Sequence, residues 1–167
     1  MLLTLVVLAS VVLLSLTNDF TKDRIAAQMD QEVLNLLRGI FPEMSRYTLR
    51  EDIYTVYRDD ATIGYAFLAT GKGYGGDISI LVGLQDENTV KGIKILSQSE
   101  TPGLGSRITE SSFTDRFAGL ALSDVALTRD GGRVDAITGS TVSSGAVVDA
   151  VRNTAMEKVK ALKAGGG

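Results

Sequence analysis

The first sixteen residues constrain this chain most. Met1–Leu16 contains 13 apolar side chains, broken only by Thr4, Ser10 and Ser15, and no charged residue comes before Asp19. A helix over the uncharged residues 1–18 would run roughly 27 Å, close to the ~30 Å hydrocarbon thickness of a bilayer. No basic residue precedes the run and no small-x-small site precedes Asp19, which argues against a cleaved signal peptide. Near-uniform apolarity at one end of the chain also argues against a buried helix of a soluble core. The segment therefore reads as a single uncleaved transmembrane anchor over residues 1–19. Lys22 and Arg24 follow it and, taken alone, would place the remainder on the cytoplasmic side. They are partly offset by Asp19 and Asp23, so the orientation signal is weak.

Past the anchor, apolar residues recur at Ile25, Met29, Val33, Leu36, Leu37 and Ile40. This spacing predicts an amphipathic stalk helix over 20–42, stopped near Gly39 and Pro42. The remaining domain, 43–167, mixes strands and helices. β-rich runs occupy Ile53–Tyr57, Thr62–Ala69, Asp77–Leu84 and Val90–Leu96, with a hairpin turn over Gln85–Thr89. A short helix is expected around Thr109–Ala118, with Phe113 and Phe117 on one face. A further strand is expected near Ala121–Thr128, ending at Asp130-Gly131-Gly132. A last helix over Val142–Leu162 stacks Val147, Val151, Ala155 and Val159, and its basic end (Lys158, Lys160, Lys163) suits the negative pole of the helix dipole. Hairpins rather than βαβ crossovers join the strands, so the fold class is α+β with an antiparallel sheet flanked by helices.

Composition narrows the chemistry. With 17 Lys+Arg against 20 Asp+Glu, the net charge of −3 argues against a nucleic-acid partner. The chain has no His and no Cys. The usual zinc sites, Cys-ligated iron–sulfur clusters and common haem ligations therefore have no ligands, and thiol nucleophiles and Ser-His-Asp triads lack their reacting groups. No metal site is expected, and redox chemistry in this chain requires an organic cofactor.

Three stretches could carry such chemistry. Gly71-Lys72-Gly73-Tyr74-Gly75-Gly76 satisfies G-x-G-x-x-G, but a strand rather than a helix follows it, so a dinucleotide site is rejected in favour of a glycine-rich turn. Close backbone approach to a flat ligand is a secondary reading. Ser99-Glu100-Thr101-Pro102-Gly103-Leu104-Gly105 is a rigid irregular loop that is either a plain connection or a seat for an aromatic ring system. Asp135-Ala136-Ile137-Thr138-Gly139-Ser140-Thr141 precedes the last helix. The plain reading makes Thr141 its N-cap; the alternative uses the free N–H groups and dipole to hold a phosphate, with Gly139 leaving the Thr141 hydroxyl exposed.

Together, Glu100-Thr101-Pro102-Gly103-Leu104-Gly105 and Asp135-x-x-Thr138-Gly139-Ser140-Thr141 resemble the FMN-binding domain found in the G subunit of ion-translocating electron transport complexes of the Rnf or Rsx type. That family is related to the C subunit of the sodium-translocating NADH:quinone reductase. The resemblance extends to the anchor, the Gly73-Tyr74-Gly75-Gly76 turn and the terminal helix. It implies one FMN joined through its phosphate to Thr141 by a flavin transferase, with Asp135, Thr138, Gly139 and Ser140 filling the rest of the motif. It further implies that Tyr74, Glu100, Thr101, Gly103, Leu104 and Gly105 bind or shape the flavin pocket, and that the flavin carries the electrons with no catalytic residue in this subunit. Ser140 stands where the family usually has Ala, and Gln98 where a His is common. The implied protein is an electron relay in a membrane complex coupling ferredoxin:NAD⁺ electron transfer to Na⁺ or H⁺ movement. Its partners are the other subunits and membrane lipid, and its domain lies on the periplasmic or extracellular side of the inner membrane, which sets the Lys22 and Arg24 signal aside. The quinone-reductase homologue, or an anchored cofactor-free binding or assembly module in which Thr141 is only a cap, stay open as alternatives.

Overall fold

The computed structural model describes residues 31 and 33–165. The expected anchor over 1–19 and most of the expected stalk helix lie outside the described residues. Among those described, no helix is long and apolar enough to cross a membrane. The chain divides into two units, 1–37 and 38–167. The helix α1 (residues 33–38) ends before Gly39 and Pro42, where the sequence places the stop.

The second unit is built on a five-stranded antiparallel meander, in the order β1 (Arg46–Arg50), β2 (Ile53–Arg58), β3 (Ala61–Lys72), β4 (Asp77–Leu84) and β5 (Val90–Ser97). Four of these strands follow the alternation seen in the sequence. β1 does not, because it is an edge strand with arginines at both ends and four of five residues exposed. It is joined to β2 by Glu51 and Asp52, both left-handed at φ 50° and 63°, a two-residue turn made without the glycine or asparagine that usually marks it. Asp52→Gly should therefore stabilise the domain by up to about 1 kcal/mol in urea unfolding, since glycine adopts this conformation without a Cβ clash.

One face of the sheet carries Phe67 and Ala69 from β3, Ile78, Ile80 and Val82 from β4, and Val90 and Ile93 from β5. Against it packs the long helix α3 (Thr141–Gly165), which buries Val147, Val148, Val151, Ala155 and Val159 in the same core. Ile40 and Phe41 lie over Gly64 and Gly83.

Between β5 and α3 the chain runs through short turns. The expected helix at 109–118 is split into a 3₁₀ turn (Gly105–Thr109), one turn of α-helix, α2 (Ser111–Thr114), and a second 3₁₀ turn (Asp115–Phe117). Phe113 and Phe117 still share a face, fully buried and edge-to-face at 5.5 Å. The expected strand at Ala121–Thr128 is not formed. Its place is taken by 3₁₀ turns at Leu122–Asp124 and Thr128–Asp130, with only single bridges from Ala121 to Thr89 and from Leu127 to Val134. The apolar residues Leu122, Val125 and Leu127 are spaced three and two apart, so they reach the core from turns. The backbone is satisfied locally, as in Asp124 N–H to the Ala121 carbonyl at 2.9 Å.

Two features of this frame position a site. The pairing of Ser79 with Ser97 brings the end of β5 beside the start of β4, so the loop after β5 leaves next to the β3–β4 turn. Gly71 lets the first turns of α3 approach β3, since a Cβ there would lie 2.5 Å from the Ala146 carbonyl oxygen.

Candidate functional site

All three stretches singled out in the sequence converge at this end of the domain. They enclose an open cavity of about 450 Å³ lined by Tyr74 from the β3–β4 turn, Glu100, Thr101, Leu104 and Gly105 from the loop after β5, and Gly139, Ser140, Thr141, Val142 and Ser143 from the start of α3. That volume lies within the range of small-molecule and cofactor sites. Tyr74, Leu104 and Val142 stand out as large apolar or aromatic residues left exposed around it, at 80%, 47% and 59%.

The centre of the arrangement is Glu100, which keeps only 6% of its surface exposed. Its Oε1 accepts the Gly75 N–H at 2.8 Å, and its Oε2 accepts the Ser143 hydroxyl. Its own N–H donates to Gln98 Oε1 at 2.6 Å, so the glutamine at that position closes the bend before the loop. Burial pushes the Glu100 carboxyl up, but the Ser143 hydroxyl and the N–H groups of Gly75, Tyr74 and Gly76 outweigh it and hold the group below its ordinary value near 4.5. A carboxyl with a depressed folded pKa stabilises the fold fully above its unfolded pKa and loses that contribution as pH falls through the folded value. Urea unfolding should therefore show the stability gap between wild type and Glu100→Gln narrowing below about pH 4.3.

The β3–β4 turn is tight, closed by the Gly73 N–H to the Gly76 carbonyl at 2.8 Å, and β4 follows it directly. No helix starts there, in keeping with the rejection of a dinucleotide site. The close approach that its glycines allow is to the Glu100 loop.

The start of α3 is organised by serines. Ser140, not Thr141, holds the cap position. Its carbonyl accepts the Ser144 N–H at 3.0 Å and the Ser144 hydroxyl at 2.9 Å, while Ser144 Oγ accepts the Ile137 N–H at 3.0 Å. The buried Ser140 hydroxyl donates to Ser143 Oγ at 3.1 Å. Thr141 is thereby the first helical residue. Among the described residues its hydroxyl has no hydrogen-bond partner, and the residue is only partly buried on the cavity wall. Of the two readings of Thr141, the cap does not hold: the residue before it takes that position, and the Thr141 hydroxyl is left without a partner.

Three expected site residues do not line the cavity. Asp135 is exposed, its carboxylate accepting the Thr128 hydroxyl at 2.6 Å and its carbonyl accepting from Arg116 Nη1 at 2.5 Å. It braces the loop that leads to Thr141. Thr138 is exposed in the same turn. Gly103 is left-handed at φ 76° and donates its N–H to Ser106 Oγ at 2.9 Å, shaping the loop from outside. Conversely, Val142 and Ser143 belong to the cavity although sequence reasoning misses them. The Ser140-x-x-Ser143 spacing is a usable signal for the latter, as it is the spacing of a capping pair.

The sequence model of the FMN-binding domain matches residues 73–156, the span that contains every residue lining this cavity. The G subunit of the ion-translocating oxidoreductase complex from Cereibacter sphaeroides is 32% identical over 176 residues, covering 90% of this chain and 78% of that protein. The chain belongs to the FMN-binding domain family, as a homologue of that G subunit. The counterpart from Vibrio vulnificus is 33% identical, covering 85% and 79%. That from Methanosarcina acetivorans is 44% identical over 92 residues, 54% of this chain, and the match spans about half (49%) of the archaeal protein. Among solved structures, the C subunit of the Na⁺-translocating NADH-quinone reductase from Parabacteroides distasonis aligns with TM-score 0.57 and 26% identity, covering 65% of this chain and 60% of that one. NqrC of Shewanella oneidensis shares the fold at TM-score 0.53.

Proposed function

We propose that this chain is an electron-carrying flavoprotein subunit of an ion-translocating oxidoreductase of the Rnf type, and that it holds one FMN joined through its phosphate to Thr141. The observation that carries the reading is the contrast between two adjacent hydroxyls. Ser140 is buried and bonded to Ser143, whereas Thr141 is free at the mouth of a cavity of cofactor size. Of the two, only Thr141 can accept a phosphoryl group without breaking a buried hydrogen bond.

The residues present suit the group. The first N–H groups of α3 have no intrahelical acceptor, and with the positive end of the helix dipole they favour an anion at Thr141. Tyr74, Leu104 and Val142 offer apolar surface for a ring system. Bound FMN would supply transfer of one or two electrons. The protein's part is to hold, orient and shield. Covalent attachment by a flavin transferase keeps the cofactor in a site this open.

The complex proposed is membrane-bound, with residues 1–19 as the anchor, membrane lipid around it, the other subunits as redox partners, and the FMN domain on the periplasmic or extracellular side. Ferredoxin:NAD⁺ electron transfer is the proposed overall reaction. Production of the full chain with and without a flavin transferase tests the core of this reading. Flavin fluorescence on a denaturing gel is expected only when the transferase is present, and a dark band in both cases would refute covalent attachment. A reporter fused after Gly167 and active only in the cytoplasm would refute the external placement.

A further inference from the structure

We infer that Glu100 is the electrostatic positioning residue of this cavity: a fixed, buried anion that holds the bound flavin at a more negative potential than the same cavity would without the charge. The inference rests on the FMN reading above. It concerns a residue that the reading leaves without a role of its own, since both carboxylate oxygens are already engaged by the protein.

Three observations carry it. First, Glu100 lines the same cavity as Thr141 while being almost wholly buried, so its charge is less screened by water than a surface carboxylate at that distance would be. Second, its partners are neutral donors: the Gly75 N–H, the Ser143 hydroxyl and, behind Ser143, the Ser140 hydroxyl. Among the described residues no ion pair reaches it. Neutral donors stabilise a charge without cancelling it. Third, the carboxylate cannot swing away. Cβ atoms at Gly73 and Gly105 would fall 2.2 Å from its Oε1 and 2.6 Å from its Oε2, so the protein is packed closely around both oxygens.

A tie between turn, loop and helix does not require a charge. Glutamine has the same shape and could keep the carbonyl bond to Gly75. Whatever it adds to the fold through these donors, the charge also acts on the space it faces. Electrons entering a ring system add negative charge unless protons follow, so a fixed anion beside it opposes reduction.

The test uses the full chain produced with the flavin transferase, as wild type, Glu100→Gln and Ser143→Ala. Each is reduced with dithionite against reference dyes and followed by flavin absorbance. Glu100→Gln should retain flavin and raise the ratio of reduced to oxidised cofactor about tenfold at a fixed ambient potential, a positive shift of about 30 mV for a two-electron couple. Ser143→Ala, which removes a donor that shields the anion, should shift the potential the other way. Opposite signs support the inference. No shift in either variant, or shifts of the same sign, which is what a loosened cavity produces, overturns it. If Glu100→Gln loses its flavin, Ser143→Ala decides: a negative shift supports the inference and any other result overturns it. A wild type without flavin overturns both this inference and the FMN reading, whereas a flavinylated wild type whose potential ignores Glu100 overturns this one alone.

Discussion

Thr141→Ala abolishes covalent flavin, and Ser140→Ala does not. The expectation follows from how the start of α3 divides labour between neighbouring hydroxyls. Ser140 holds the position before the helix, its hydroxyl spent on Ser143 and its carbonyl tied twice to Ser144. Thr141 sits one residue further on, helical, facing the cavity and free. Removing its hydroxyl removes the acceptor and leaves the cap network intact, so the fold should survive with stability within about 0.5 kcal/mol of wild type, as for substitutions that break no buried contact. Removing the Ser140 hydroxyl should cost about 1 kcal/mol, as loss of a buried hydrogen bond does, with flavin still attached. Denaturing gels read under ultraviolet light, beside urea unfolding of the same samples, separate the two outcomes. A fluorescent Thr141→Ala band, or a dark Ser140→Ala band, would reverse the assignment.

Gly75→Ala destabilises the domain by about 3 kcal/mol and empties the site. A Cβ at this position would lie 2.1 Å from the Ser99 carbonyl oxygen and 3.2 Å from the Glu100 Cα, both backbone atoms that no rotamer change can move. Overpacking against backbone typically costs about 1–3 kcal/mol, and here the displaced turn also withdraws the Gly75 N–H from a charged acceptor, worth roughly 1.5–3 kcal/mol more if lost outright. Because part of the strain is relieved as the bond breaks, the two do not add in full. The expected consequence for function is larger than for folding. The turn, the loop after β5 and the helix start are joined through one carboxylate, so moving the turn should lower flavin incorporation as well. Chemical unfolding and the ratio of flavin to protein absorbance measure the two effects. A variant with wild-type stability and full flavin would mean that the turn adapts and that Glu100 is not the joint described here.

Much of the frame can be read from the sequence where local rules decide. β2 to β5 announce themselves by alternation, and the Gln85–Thr89 turn closes as expected, Gln85 N–H to the Thr89 carbonyl at 2.9 Å. The long helix shows its apolar stripe. The errors fall where a segment's state is set by its neighbours. β1 is polar because it is an edge, and its left-handed turn at Glu51–Asp52 uses no residue that signals one. Residues 121–128 look like a strand by composition, but they pair only through the single bridges Thr89–Ala121 and Leu127–Val134 and turn in between. The site follows the same division. Its loops stand out because Gly and Pro punctuate them, so Tyr74, Glu100, Leu104 and Thr141 can be named in advance. What joins them cannot. Glu100 meets Gly75 across 25 residues of chain and Ser143 across 43, and no periodicity spans such gaps. For the same reason Asp135 reads as part of the site although its side chain is spent on Thr128.

The flavoprotein reading stands on a single bond between the Thr141 side-chain oxygen and a flavin phosphate. Peptide-level mass spectrometry of the wild-type chain, matured with a flavin transferase, tests that bond most directly. The peptide carrying Ser140 and Thr141 is expected to bear the mass of one FMN less water, with fragment ions placing it on Thr141. That peptide recovered entirely unmodified, or modified at Ser140, would contradict it.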